Sequence, residues 1–404
     1  MNILVLGMYG AHARGELSVE CHVVHKLAEL GNDVDYWTDQ PLSYSMEPVL
    51  KQPPTLRSFV FHEGKNALAR TPRQFAPEDV GKIIKEHGKK PYDAVFGTAH
   101  TAIDMGSWIK RCLKIPLVIQ VLDVPYWRLD QMGPWELVKE SEFPFPLEAI
   151  PPQLWDGYRG EWSYWFQNIK NCDAVTVLLS VVKEQMIRYA GADPGNLHVV
   201  YHGSITPESY EYYLKREPVV EKKNRVISVN RLVYHKGVDQ SIVICKLIQD
   251  MMPADNPPEF VFVSTGNEQW YEDLLKQYAK SLLKNVKFMG WVDNATKIKL
   301  IRESKVLLDQ EWPEGFGGLC LAEAIFGDTQ PICWDRRSKK EVYPFGMNFV
   351  PKGDFVAAAK VAVKYLAEEY VVPDPKAREF IREFRSHESH AKGILEVLEG
   401  VRRR

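Results

Sequence analysis

Two carboxylates flank a glycine turn in the stretch EWPEGFGGLCLAEA: Glu314 precedes Phe316-Gly317-Gly318, and Glu323 follows inside an apolar, helix-like run. Burying a carboxylate is costly unless hydrogen bonds satisfy it. The pair therefore faces either water or a ligand rich in hydroxyls. Gly317, Gly318 and Leu319 open the apolar run, so their backbone N–H groups can approach an anion at a helix start, where the helix dipole also favours negative charge. A second element, RLVYHKG, directly follows the apolar run RVISVN and sets Arg231 five residues before Lys236. One planar fork donor and one point charge at a strand end suit a diphosphate. The same two cations also suit a solvated surface loop. Two more strands end in glycine: FVFVSTGNEQW turns at Gly266, and NVKFMGWV presents Trp291 and Val292, whose backbone could approach a flat base. His100 follows PYDAVFGTA and reads either as an active-site group or as a loop histidine. His22 with His25, and His387 with His390, are i,i+3 pairs with no third ligand near in sequence, so no metal site is expected from them.

These residues need elements to hold them. Short apolar runs alternate with longer amphipathic segments, which argues for parallel sheets with helices on both faces. The first half predicts strands near 2–7, 34–38, 58–62, 93–97, 116–122, 174–178 and 197–201, with a helix in SVECHVVHKLAEL stopped by Gly31. The second half predicts strands near 225–230, 259–264, 285–289, 304–308 and 330–334. Between the halves, TPESYEYYLKREPVVEKKN is charged and has no apolar period. The expected organisation is therefore an α/β chain of two doubly wound, Rossmann-like domains: 1–205, a linker at 206–224, and 225–375, with a charged C-terminal helix over 376–404 returning toward the first domain. Such sheets bind ligands outside the carboxyl ends of their strands. The region 124–170 departs from the alternation. Its five tryptophans and several prolines suit an irregular packed insert, a wall for an acceptor, or a patch touching a membrane surface.

Composition narrows the function classes. The chain has 404 residues, 45% hydrophobic and 26% charged, which is the profile of a folded globular protein. Its 51 basic and 53 acidic residues leave no basic footprint for nucleic acid. No apolar run reaches the roughly 18 residues of a membrane span, and MNILVLGMYG reads as a strand rather than a signal peptide. Six scattered cysteines with no CxxC pair fit a reducing cytoplasm.

The order and spacing of these motifs carry a more specific resemblance. From Arg231 to Ile332 the sequence resembles the nucleotide-binding domain of family 4 glycosyltransferases (glycosyl transferases group 1), which have the GT-B fold. Asn230-Arg231-Leu232 with Lys236-Gly237 matches GRL-x-x-x-KG, 264–268 matches G-x-G-P-E, 286–292 matches V-x-F-x-G-x-V, and E-G-F-G is followed by the E-A of Glu323. In the first half, ARGELSVECHVVHKLAELGNDV has the spacing of the family's GG-x-E segment, with Gly15 on the second glycine. PYDAVFGTAH and NCDAVTVLLSVVKEQM also have family counterparts. The chain departs from the family pattern in three places. Eight residues, not seven, separate Glu314 from Glu323, so an ungapped match puts Gly315 on the first glutamate. Leu122 stands where the family has a histidine, before a retained Asp123, and GDTQPI replaces the usual Gly-Thr-Pro.

By that resemblance, Arg231 and Lys236 bind the donor diphosphate, Glu323 the ribose and Glu314 the sugar hydroxyls, with Gly266, Trp291, Val292, Gly317, Gly318 and Leu319 around the donor. Gly15, His100 and Asp123 belong to the site from the first half. The implied enzyme is a hexosyltransferase that moves a sugar from a UDP- or GDP-hexose to a hydroxyl acceptor, which could be a glycan, a lipid-linked sugar or a small molecule. Retention of configuration and independence of any metal or cofactor also come from the resemblance. The scattered cysteines point to a cytoplasmic location, and the aromatic insert allows peripheral contact at the inner membrane face. A GT-B nucleotide-sugar epimerase and a non-catalytic subunit keeping the fold remain the alternatives.

Overall fold

The computed structural model describes residues 1–7, 16–38, 52–61, 77–122, 168–203, 221–233, 236–264, 269–311, 318–368 and 372–403. The described residues divide into two compact units, one of those up to 203 together with those from 384 onward, the other of those from 221 to 383.

In the first unit, seven parallel strands follow the predicted apolar runs: β1 (Asn2–Leu6), β2 (Asp33–Thr38), β3 (Leu56–Val60), β4 (Ala94–Gly97), β5 (Leu117–Val121), β6 (Ala174–Val177) and β7 (Leu197–Val199), in the order β3-β2-β1-β4-β5-β6-β7. Nearly every residue of β1, β4, β5 and β6 is buried, because helices cover both faces and no strand face meets water. The described helices are α1 (Glu16–Glu29), α2 (Pro77–Lys89), α3 (Ile103–Leu113) and α4 (Ser180–Ala190). Gly31, at φ 86°, closes α1 where the sequence predicts a stop.

The second unit carries β8 (Lys223–Val229), α5 (Val238–Met251), β9 (Glu259–Val263), α6 (Gln269–Leu282), β10 (Val286–Gly290), α7 (Asn294–Glu303), β11 (Ser304–Asp309), α8 (Leu319–Phe326), β12 (Gln330–Trp334), α9 (Arg337–Val342), β13 (Asn348–Val350), α10 (Phe355–Ala367) and α11 (Pro375–Phe384). The sheet is parallel in the order β10-β9-β8-β11-β12-β13. Phe260, Phe262, Val306, Leu308, Ile332 and Trp334 fill the layer against Ile242, Ile248, Ala358 and Ala362 of α5 and α10. The chain winds outward in one direction from β8 and in the other from β11. The crevice at the carboxyl ends of this adjacent pair is where an open α/β sheet binds ligands. The motif RVISVN-RL lies on β8 and the opening motif follows β11, so both reach that place.

Two expectations are corrected. A sixth strand, β13, extends the second sheet. The expected single C-terminal helix is two, α11 and α12 (His387–Arg402). Ser386 caps the second, its hydroxyl accepting from the Ser389 N–H at 3.0 Å. The arginine between them, Arg385, is buried and donates to the His202 carbonyl at 3.3 Å. Consequently α11 belongs to the second unit, with Arg378 donating to the Ile325 carbonyl at 3.1 Å, and only 384 onward joins the first.

There α12 packs on α1 through histidines. His22 and His387 stack with centroids 4.3 Å apart and planes 1° from parallel. The Gly203 N–H donates to His390 Nδ1 at 3.2 Å, so Nδ1 bears no proton. The other ring nitrogen, Nε2, therefore carries it and donates to Gln120 Oε1 at 2.7 Å. Burial holds His202 and His387 well below the ordinary histidine value, and His390 is lowered to about 3. The i,i+3 histidine pairs thus serve packing between two helices distant in sequence.

Candidate active site

The site of the second unit is built on the ends of β8 and β11. Arg231, just past β8, is exposed and has no ion-pair partner among the described residues, so its guanidinium is available to an anion. Lys236 lies on the same connection but is turned inward. Its ammonium meets Glu311 Oε1 at 2.6 Å, and both side chains are buried. Gly237, at φ 61°, makes this approach possible, since a Cβ there would sit 2.1 Å from the Gln310 carbonyl oxygen. The lysine-glycine pair of the motif has a steric meaning: without the glycine, Lys236 could not be pressed against the end of β11.

A second ion pair lies beneath. Asp309, the last residue of β11, is fully buried, and its Oδ2 accepts from Lys339 of α9 at 3.0 Å while Oδ1 accepts from Asn230 at 3.2 Å. Lys339 also donates to the Asp309 carbonyl at 3.1 Å. Burial raises the Asp309 carboxyl, but Lys339 and Lys236 outweigh it and hold it below the usual aspartate range. Burial likewise lowers Lys339, but Asp309, Cys333 and Glu311 together outweigh it and raise the ammonium above its usual range. Glu311 goes the other way: burial raises its carboxyl more than Lys236 lowers it. Its second oxygen, Oε2, has no hydrogen-bond partner among the described residues.

Above Asp309 lies the start of α8. Gly318, at φ 59°, would place a Cβ 2.6 Å from Asp309 Oδ2, and its carbonyl accepts from the Tyr343 hydroxyl at 2.7 Å. Asp309 and Tyr343 thereby fix the helix start, with Leu319 as its first residue. The orphan N–H groups there can meet an anion. Glu323, inside α8, is buried, with Oε1 accepting from Lys297 of α7 at 2.6 Å. At the end of β10, Gly290 turns at φ 65° and Trp291 is 45% exposed, with Val292 beside it half-buried.

The structure therefore gathers Arg231, Lys236, Gly318 and Leu319 at the carboxyl ends of β8 and β11, with Glu323 on the same helix as Leu319. His100 belongs to the first unit, half-buried at the start of a short 3-10 turn after β4. Gly15, Asp123, Gly266, Glu314 and Gly317 lie outside the described residues, as does nearly all of the aromatic insert. Sequence reasoning missed the buried layer of Asp309, Lys339 and Tyr343. Lys339 sits in RRSKKEVY, which reads as a solvated charge run, yet it is 1% exposed. Its only sequence signal is the strand-ending Asp309, whose burial demands a cation.

Residues 211–348 match the family Glycosyl transferases group 1. No curated protein matches by sequence. Among solved structures, HepE from Anabaena in complex with UDP-glucose is similar at 18% identity, covering 99% of this chain and 100% of that one, with a TM-score of 0.66. A glycosyltransferase from Rickettsia africae is similar at 13% identity, with 99% and 98% covered and a TM-score of 0.65. Sucrose-phosphate synthase from Thermosynechococcus elongatus is similar at 15% identity, with 99% of each chain covered and a TM-score of 0.62. The fold is that of the GT-B glycosyltransferases, and the chain carries a glycosyl transferases group 1 domain, the domain of a glycosyltransferase. Among the described residues no helix is long and apolar enough to cross a membrane.

Proposed function

We propose that this glycosyltransferase moves a hexose from a nucleoside diphosphate sugar to a hydroxyl acceptor, with retention at the anomeric carbon and without a bound metal. The observation that carries the reading is the convergence of Lys236 and the start of α8 on the carboxyl end of β11, beside an exposed Arg231. In this reading Arg231, Lys236 and the amides of Gly318 and Leu319 take the diphosphate, Glu323 takes the ribose diol, and Trp291 with Val292 lies along the base. HepE was solved with UDP and with UDP-glucose, which makes UDP the first base to try.

The chemistry follows from charge. Breaking the anomeric bond builds negative charge on the leaving phosphate oxygen. Fixed donors aimed there stabilise that charge without reorganising. Retention without an enzymic nucleophile is served by attack from the leaving-group face, the departing phosphate oxygen accepting the acceptor's proton. Glu314, contacting the sugar hydroxyls, would orient the ring. Arg231 and Lys236 supply the positive charge that a divalent cation provides in other transferases, so turnover should survive exhaustive chelation.

The test has two stages. Thermal shift against UDP-, GDP- and ADP-hexoses identifies the base. Transfer is then followed in EDTA, with the anomeric configuration of the product read by NMR. Interconversion of the donor sugar without transfer would make the protein an epimerase, and loss of turnover in EDTA restored by Mg²⁺ would end the metal-free reading.

A further inference from the structure

Lys236 cannot serve a diphosphate while its charge is spent elsewhere, and in this structure it is spent on Glu311. The contact is 2.6 Å long, and the lysine and glutamate are 8% and 3% exposed, so water does little to screen it. Among the described residues Glu311 has one hydrogen-bond partner: Oε1 meets Lys236, and Oε2 has none. We propose, resting on the donor site described above, that Glu311 is a displaceable counter-ion of the diphosphate subsite. It holds Lys236 until a nucleoside diphosphate arrives, then yields the ammonium to the phosphate oxygens and takes up a proton from solvent.

The argument is one of charge in a closed space. Among the described residues, the charged groups facing Glu311 are Lys236 from the connection into α5, Asp309 from β11 and Lys339 from α9. Among these described groups two ammoniums face two carboxylates, so their charges balance before any ligand binds. A diphosphate at Lys236 adds at least two negative charges, and Arg231 offers only one positive charge from the rim. A buried carboxylate left ionised beside that diphosphate would face like charge with nothing to offset it, so neutralisation by a proton is the cheaper outcome.

The two carboxylates are not equally ready to accept the proton. Asp309 is held by Lys339 and Asn230 as well as lying near Lys236, and its carboxyl is kept below the usual range. Among the described residues Glu311 has Lys236 as its one hydrogen-bond partner, and its carboxyl is already raised. Losing Lys236 therefore moves Glu311 to the neutral form and leaves Asp309 ionised. In the reaction direction, release of the nucleoside diphosphate returns Lys236 to Glu311 and expels the same proton. The internal carboxylate then competes with the product for the ammonium, which limits how tightly the product can stay.

The experiment is isothermal titration of UDP, GDP and ADP, each in turn, into the full chain at pH 8, in HEPES and in Tris. The free nucleotides are fully ionised at that pH, since the terminal phosphate has a pKa near about 6. The difference in heat between the buffers counts protons. We expect close to one proton taken up per nucleotide bound, and an affinity that falls about tenfold per unit rise in pH while Glu311 is the only group changing its protonation. Glu311→Gln should bind with no uptake and a flat pH profile. Binding to the unsubstituted protein without proton uptake overturns the proposal while leaving the donor reading intact, and so does uptake that persists undiminished in Glu311→Gln. Failure of all three nucleotides to bind overturns the donor reading, and this proposal with it. Should Glu311→Gln not fold, the proton count and pH profile of the unsubstituted protein decide alone.

Discussion

Acid should loosen the first unit at the seam between α12 and the sheet, and His390 sets the scale. Its ring is neutral in the fold because burial, and after it the nearby Arg385 charge, disfavour the imidazolium, and Nδ1 already accepts from the Gly203 N–H. The native value is about 3, against about 6.5 for an unfolded histidine. A lowered native value means that the unfolded chain binds more protons between those limits. Stability is therefore complete above about pH 6.5 and falls as the pH drops from there toward the native value. Between pH 7.5 and 5.0 the loss from His390 alone is about 1.5 units of protonation work, or about 2 kcal/mol. His202 and His387, also held well below the ordinary value, act in the same direction. With a urea slope of about 2 kcal/mol/M, the midpoint of the first unit should fall by about 1 M or more. His390→Asn tests the assignment. Asparagine can still accept from Gly203 but leaves Gln120 Oε1 without its donor, so the variant should be weaker at pH 7.5 by about 1–3 kcal/mol. It should also lose the His390 share of the acid shift, so that the two proteins converge as the pH falls. Urea titrations followed by circular dichroism at pH 7.5 and 5.0 read both quantities. An acid shift of the same size in the variant, or none in the parent, would refute the reasoning.

Three further substitutions address the site. Arg231→Ala should lower kcat/KM by about one to two decades, the worth of a charged hydrogen bond of roughly 1.5–3 kcal/mol. Because Arg231 is exposed, its melting temperature should not move, and an unchanged kcat/KM would remove it from the site. Lys339→Met should destabilise the second unit by about 3–5 kcal/mol by stranding the buried Asp309 carboxylate, and a urea midpoint within error of the parent would contradict the pairing. Glu323→Gln should weaken binding of free nucleotide, since ribose is common to donor and product, whereas Glu314→Gln should depress transfer and leave nucleotide affinity alone. A silent Glu323, measured by nucleotide titration, would undercut its assignment to the ribose.

Much of this architecture is legible in the sequence, and the reasons for the gaps are physical. Parallel strands buried on both faces read as continuous apolar runs, so β1, β4, β5 and β6 stand out from their polar surroundings. β13, only Asn348–Val350, is too short to carry a period. The break between α11 and α12 is hidden because charged residues continue through it, and only the burial of Arg385 and His387 shows why the chain turns there. At the site, Arg231 and Lys236 are visible as a local motif. Their different fates, one exposed and one buried on Glu311, depend on a contact across 75 positions that no local spacing contains. The same holds for Lys339 and Asp309, and for His390, whose ring partners, Gln120 and Gly203, lie 270 and 187 positions away. Motif spacing locates chemistry within a strand-turn-helix; it carries no information about which distant residue neutralises it.

The placement of α12 has a consequence for biosynthesis. The segment that completes the first unit, 384–403, leaves the ribosome only after the second unit has been made. Until then the nascent first unit lacks the ring of His387 on His22, the hydrogen bond from His390 to Gln120, and the apolar cover of Ile394 and Leu398. An N-terminal fragment ending near 203 is thus an unfinished body with an uncovered apolar strip, the kind of surface that chaperones bind and that aggregates when they are scarce. Bisecting the gene at the apparent domain boundary should yield a well-behaved second half and a poorly behaved first half. Adding 384–403 back as a separate peptide, or moving it by circular permutation onto the end of the first segment, should rescue the first half.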